Sequence, residues 1–360
     1  MTREHLRNVV TAFVGTGEGD HAAPFYRQGT GTINLLVLAM LSQIAKDKQN
    51  VVFAMEEPET AIPPYAQKSI VHEIRKLSAQ SLFTSHSPYV LEEFTLDETV
   101  ILSRGADGVL TQATVTLPDS VKHKRYRQEF RTRFCEGLLS RRILIAEGAA
   151  EASAVPAAAL RLFELNPSLY SPLEALGICT VDAGGDTQIS DLAKLYRGLG
   201  KQVFGVCDKQ TAEDEAAIRA EVNELFMHTE NDLETLVLKN TTQAAIDRFV
   251  DVVEWPPHLV KKYPKPKGDS VNALSDYFSW SKGNRGVADF LTSCQDEAEV
   301  PQWIRDTCVA LRRICLPELP ADAIAGQVPP GAPAAAALAV AAVPAEPAPA
   351  AEAVEAEPDL

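Results

Sequence analysis

Residues 143–146 are wholly apolar and run directly into Glu147-Gly148, with Glu151 four positions beyond Glu147. A strand there places Glu147 at its tip, the glycine permits a tight turn, and Glu151 falls on the first turn of a following helix. A second apolar run, 203–207, ends at Asp208. In one parallel sheet these carboxylates meet at the carboxyl edge, where α/β folds bind ligands. A third group of acids follows at Glu230, Asp232 and Glu234. Carboxylates gathered on one rim repel each other and call for a counter-charge. A hard divalent cation with oxygen ligands, Mg²⁺ or Mn²⁺ rather than zinc, supplies it. Two such ions roughly 4 Å apart can activate water and stabilise the leaving oxygen of a phosphodiester. The competing explanation is that these are acids favoured at helix N-termini by the macrodipole. It serves for Glu151 by itself and less well for Glu147, Glu151 and Asp208 together.

A separate constellation lies upstream. Apolar residues 51–55 end in Glu56-Glu57, so two adjacent carboxylates reach a strand tip. In nucleotide hydrolases the first such acid holds the water shell of Mg²⁺ and the second polarises the attacking water. Residues 81–85 lead to His86, which puts an imidazole at a neighbouring strand end, and Gly29-Thr30-Gly31-Thr32 opens a helix whose free amides suit an anion. Each piece alone has an ordinary structural explanation: a solvated turn, a helix start, a surface histidine. Order and spacing together are more specific.

The elements that must hold these residues read as two α/β stretches. In the first, helix 31–46, strand 51–55, helix 65–77, strand 81–84 and strand 99–102 predict a parallel sheet covered on both faces. In the second, strand 143–146, helix 152–165, strand 178–181, helix 189–199 and strand 203–207 predict a right-handed β-α-β-α-β unit. Between them, Lys122, Lys124, Arg125, Arg127, Arg131, Arg133, Arg141 and Arg142 crowd one short stretch. Either it is a solvated face of a helical connector or it is a phosphate-contacting ridge. Residues 235–315 are helical by pattern, broken at Trp255-Pro256-Pro257 and Tyr263-Pro264-Lys265-Pro266, which suggests a helical insertion. Residues 317–360, dominated by Ala and Pro, predict a disordered tail.

The formal charge of -15 argues against nucleic acid at first sight, but seven acids and no Lys or Arg lie in 317–360, leaving -8 on the remainder. The six cysteines form no CxxC pair, which predicts buried free thiols in a reducing cytoplasm. No apolar run approaches the roughly 20 residues needed to span a bilayer, and no signal-peptide pattern opens the chain.

The upstream motifs resemble the second half of an ABC-type ATPase head of the structural-maintenance and RecF-like DNA repair families. By that resemblance Gly29 and Gly31 stand in the signature motif, Glu56 and Glu57 are Walker B plus catalytic glutamate, and His86 is the switch histidine. No Gly-x-x-x-x-Gly-Lys-Ser/Thr phosphate loop occurs in the 360 residues. ATP binding is therefore expected only in a complete protein, with the missing half supplied by a longer gene product or by a separate polypeptide; truncation is the favoured expectation. The downstream pattern, Ile-Leu-Ile-Ala-Glu-Gly-x-x-Glu, then Gly-Gly-Asp, then an apolar strand plus Asp, resembles the Toprim (topoisomerase-primase) domain. An ABC head followed by Toprim resembles the OLD (overcoming lysogenization defect) family of nucleases. The implied fold is α/β: a partial ATPase sheet (1–115), a basic helical connector (116–140), a Rossmann-like Toprim domain (141–316) with a helical insertion around 235–280, and the tail.

The resemblance further implies a metal-dependent DNA endonuclease, regulated by ATP in full-length form, acting as a homodimer on DNA. Glu147, Glu151, Asp208 and Glu234 would be metal ligands, Glu147, Asp208 and Lys282 catalytic, and Lys282 would stabilise phosphorane charge. The chain departs from the usual Asp-x-Asp, reading Asp208-Lys209-Gln210. Asp182 or Asp186 stand near enough in sequence to compensate. A degenerate DNA-tethering or dimerisation module of a DNA repair or phage-defence system is the alternative, and a primase or topoisomerase a weaker third.

Overall fold

The computed structural model describes residues 13–15, 22–47, 51–104, 108–114, 131–185, 188–281 and 285–316. Lys282, Asp186, the basic residues 122–127 and the expected disordered tail 317–360 lie outside the described residues.

The amino-terminal part begins with a small antiparallel ribbon, β1 (Phe13–Gly15) against β2 (Ala22–Pro24). Helix α1 (Thr30–Asp47) starts after Gly29, whose carbonyl accepts the Ile33 amide at 3.1 Å. Gly31 lies so close to the turn after the next strand that a Cβ there would meet the Ala61 carbonyl oxygen at 2.4 Å. Strand β3 (Val52–Glu56), helix α2 (Pro64–Leu77) and strand β4 (Gln80–Thr84) follow, with β3 and β4 parallel and Glu56 opposite Thr84. Leu38, Phe53, Ile62 and Ile74 form a small core between helices and strands. Short helix α3 (Pro88–Leu91) leads to β5 (Val100–Arg104) and β6 (Leu110–Thr114).

Two expectations for this part need correction. Among the described residues strand β5 joins no parallel sheet: it pairs antiparallel with β6, Val100 opposite Thr114 and Arg104 opposite Leu110. Its residues alternate, Ile101 buried and Val100 and Leu102 exposed, the pattern of a strand packed on one face. Nor is the β3–β4 pair covered on both faces among the described residues, for Val52 and Leu82 are 64% and 67% exposed.

Helix α4 (Arg131–Leu139) carries the chain into a four-stranded, all-parallel sheet in the order β10-β9-β7-β8. Its elements are β7 (Arg142–Ala146), α5 (Ala149–Leu165), β8 (Ile178–Asp182), α6 (Ile189–Gly198), β9 (Gln202–Cys207), α7 (Ala212–Glu221) and β10 (Glu224–Met227). The continuous apolar strands follow from burial on both faces. Ile143 and Ile145 face Phe134, Leu192 and Tyr196 on one side, while Leu144 and Ala146 face Ala154, Val155 and Ala158 on the other. The second side is extended by α8 (Leu233–Asn240), α9 (Gln243–Val252), α10 (Pro257–Lys262), α11 (Ser270–Trp280), α12 (Gly286–Ser293) and α13 (Gln302–Cys315). Leu236, Phe249, Phe278, Phe290 and Ile304 from these helices share one core with α5 and the sheet. All six cysteines are buried and none is in a disulfide, and no helix among the described residues is long and apolar enough to cross a membrane.

Candidate metal centre

Strand register decides which acids meet. Ala146 lies opposite Val206 of β9 and Asp182 of β8, so the residues after β7 and β9 emerge side by side. Glu147 follows β7 and its amide donates to the Val206 carbonyl at 3.0 Å, extending the ladder by one residue. Asp208 follows β9, and its amide donates to Glu147 Oε2 at 3.2 Å. Glu151 sits on the first turn of α5, where its Oε2 accepts the Gly148 amide at 3.1 Å. Part of its work is thus to cap the helix start, the place where the simpler explanation also favours an acid. Glu234, on the first turn of α8, is buried.

These side chains feel one another. Burial pushes the Glu151 carboxyl up to about 7, helped by the like charges of Glu147 and Glu234. Asp208 is also pushed up to about 7, first by burial and then by Glu147, with Glu151 and Asp232 contributing. The adjacency of β7 and β9 thus brings Glu147 and Asp208 together, and Glu151 and Glu234, on two helix starts, are near enough for their charges to act on each other. Among the described residues no three His, Cys, Asp or Glu side chains stand close enough together to hold a metal ion in this conformation. The donor set still suits a hard cation: it is all oxygen, partly buried and mutually repulsive.

The neighbouring residues hold more mundane positions. Glu230 pairs with Lys239 at 2.6 Å. Asp232 caps α8, its Oδ1 accepting the Thr235 amide at 2.6 Å. Asp182 accepts the Gly184 amide at 2.6 Å in the turn after β8. Gln210 does what the sequence did not suggest: its Nε2 donates to Glu147 Oε2 at 3.0 Å and to Asp208 Oδ1 at 3.1 Å. His228, directly after β10, was also missed. It is 2% exposed and neither ring nitrogen has a hydrogen-bond partner among the described residues, and its ring meets Trp303 edge-on at 4.9 Å. Burial holds its imidazole below the usual histidine range.

The upstream constellation is assembled differently. The Glu57 amide donates to the Thr84 carbonyl at 2.9 Å, and Glu57 takes a left-handed conformation (φ 43°). His86 Nε2 lies 3.7 Å from Glu57 Oε1, and the His86 amide donates to Glu59 Oε1 at 2.7 Å. The paired acids and the histidine thus meet at one edge, with Glu56, Glu57 and His86 exposed. Gly29 and Gly31 open α1 as the sequence predicts, and Gly31 is also required by its packing against Ala61.

Two families of known proteins match separate parts of the chain. Residues 3–91 match the family AAA ATPase domain. Residues 138–209 match the family described as overcoming lysogenization defect protein-like, TOPRIM domain. No curated protein sequence matches significantly. Among solved structures, the C-terminal region of the Xanthomonas campestris pv. campestris OLD protein is 20% identical, with a TM-score of 0.37, covering 50% of this chain and 96% of that one. The C-terminal region of the Burkholderia pseudomallei OLD protein is 16% identical, with a TM-score of 0.35, covering 49% and 98% respectively.

Proposed function

We propose, for a chain of the OLD kind in which AAA ATPase residues precede an OLD-like TOPRIM domain, that it is a divalent-cation-dependent nuclease hydrolysing DNA phosphodiesters. The observation that carries this reading is the meeting of Glu147 and Asp208 at adjacent strand tips, with Glu151 and Glu234 near enough to add to their repulsion. In it, those four carboxylates hold Mg²⁺ or Mn²⁺. Such ions, two in the usual arrangement, supply acidification of water and neutralisation of the charge on the leaving oxygen. The protein's own part is positional. Glu147 and Asp208 are fixed by the backbone ladder, and Glu151 and Glu234 by two helices packed into one core, so the rim is held before substrate arrives. We assign Lys282 the stabilisation of phosphate charge.

The domain limits that go with this reading are 1–115, 116–140 and 141–316. Glu56, Glu57, His86, Gly29 and Gly31 belong to a nucleotide site that regulates cleavage once a phosphate loop is supplied, by further chain or by a separate polypeptide. A homodimer and a cytoplasmic location complete the reading; six cysteines outside any disulfide fit a reducing compartment.

The test is cleavage of plasmid DNA with Mn²⁺ by the wild type and by Glu147→Ala. Loss of even a residue behind a metal ligand costs roughly 10–100-fold, so a ligand's loss is expected to cost at least that. Unchanged cleavage by a folded Glu147→Ala protein removes the site. A second reading, a DNA-tethering module without catalysis, is favoured by Gln210 in place of the second Asp. It requires that Mg²⁺ and Mn²⁺ leave the melting temperature unmoved.

A further inference from the structure

The Gln210 side chain lies where two of the rim's carboxylates come together. Its Nε2 reaches Glu147 Oε2 at 3.0 Å and Asp208 Oδ1 at 3.1 Å, with the Asp208 carbonyl oxygen at 3.4 Å. All three neighbours are acceptors. The Asp208 carbonyl oxygen can only accept, so the amide presents its NH₂ end to this group of oxygens. A carboxamide oxygen that ligates a cation would face the other way. The same Glu147 Oε2 also accepts the Asp208 amide, so this oxygen takes two hydrogen bonds.

We propose that Gln210 is a positioning residue that competes with the divalent cation: in the metal-free protein its amide hydrogens provide the positive partner for Glu147 and Asp208, and cation binding must displace them. The proposal rests on the metal-centre reading above. Its physical basis is charge-assisted hydrogen bonding, in which an N–H donated to a carboxylate is stronger than one between neutral groups. A second aspartate at position 210 would do the reverse. It would add repulsion to the metal-free rim and attraction to the cation. Glutamine therefore trades cation affinity for a rim that is stable without metal, and it makes occupancy responsive to the cation concentration.

The experiment is Mn²⁺ titration by calorimetry, with thermal melting in EDTA, on the wild type, Gln210→Ala, Gln210→Asp and Glu147→Ala. For Gln210→Ala the expected result is a lower melting temperature in EDTA together with Mn²⁺ binding tighter by up to about tenfold, the worth of roughly 1.4 kcal/mol of released competition. Gln210→Asp should bind Mn²⁺ tighter still and melt lowest in EDTA. If Gln210→Ala does not fold, Gln210→Asn, one methylene shorter and out of reach of Glu147, takes its place with the same expected result. Weaker Mn²⁺ binding by Gln210→Ala means the amide is a ligand and overturns the proposal; so does a melting temperature in EDTA equal to the wild type's. If none of the four proteins binds Mn²⁺, the metal-centre reading itself falls, and the proposal with it. If the wild type binds Mn²⁺ and Glu147→Ala does not, only the part assigned to Gln210 is at issue.

Discussion

Glu230, Asp232 and Glu234 stand within five residues yet do different work. Glu230 is tied to Lys239 and Asp232 caps a helix, while Glu234 is buried beside Glu151. Glu234→Gln should therefore weaken Mn²⁺ binding by about tenfold or more, whereas Glu230→Gln should leave it unchanged and cost at most about 1 kcal/mol of stability, as for an exposed ion pair. Parallel titrations of the two variants decide it. The lowered acidities of Glu151 and Asp208 give a pH prediction. Each group binds its proton more tightly in the folded chain, at about 7, than in the unfolded chain, at 4.5 and 3.8. Their contribution to stability is present below the unfolded values and is lost as pH rises through 7. Metal-free protein should consequently gain stability from these groups on acidification from pH 8 to 5.5, and Glu151→Gln should flatten that gain in melting curves recorded in EDTA. The strand-tip acids were legible in the sequence because an apolar run ending in Glu or Asp has one geometric meaning. Gln210 was not, because only tertiary placement decides which end of an amide faces a carboxylate.

At the scale of elements, the legible strands were those buried on both faces. Residues 143–146 and 203–207 are unbroken apolar runs and fold as β7 and β9. Strand β10 escaped notice: Glu224–Met227 is four residues long, and its first is acidic and exposed. The β5–β6 pairing was misjudged because a short apolar segment does not reveal whether its neighbour runs parallel or antiparallel, which here is settled by the closeness of β6 in the chain. Helix α1 is positioned by the approach of Gly31 to Ala61, itself left-handed at φ 58°. Gly31→Ala should force the helix away from the β3 turn and cost about 1–3 kcal/mol, typical of overpacking. Limited proteolysis checks this: cleavage within 22–104 should accelerate while 131–316 stays resistant.

Across the whole molecule, stability is unevenly shared. The sheet of β7–β10 has a large core on each face, whereas the amino-terminal part centres on Leu38, Phe53, Ile62 and Ile74 and leaves Val52, Leu82, Val100 and Leu102 exposed. Amides of β3 and β4 should exchange with solvent faster than those of β7 and β9, by an amount that hydrogen exchange reads directly. The buried cysteines carry a consequence of their own. All six lie between residues 135 and 315, and none in the amino-terminal part. Burial raises Cys179 to about 11 and Cys207, Cys294 and Cys308 to about 12, so the reactive thiolate is scarce until the surroundings open. An alkylating reagent thus acts as a clock that ticks only when the part after residue 131 breathes and is deaf to the amino-terminal part. Cys207, one residue before Asp208, is the hand of that clock nearest the acidic rim.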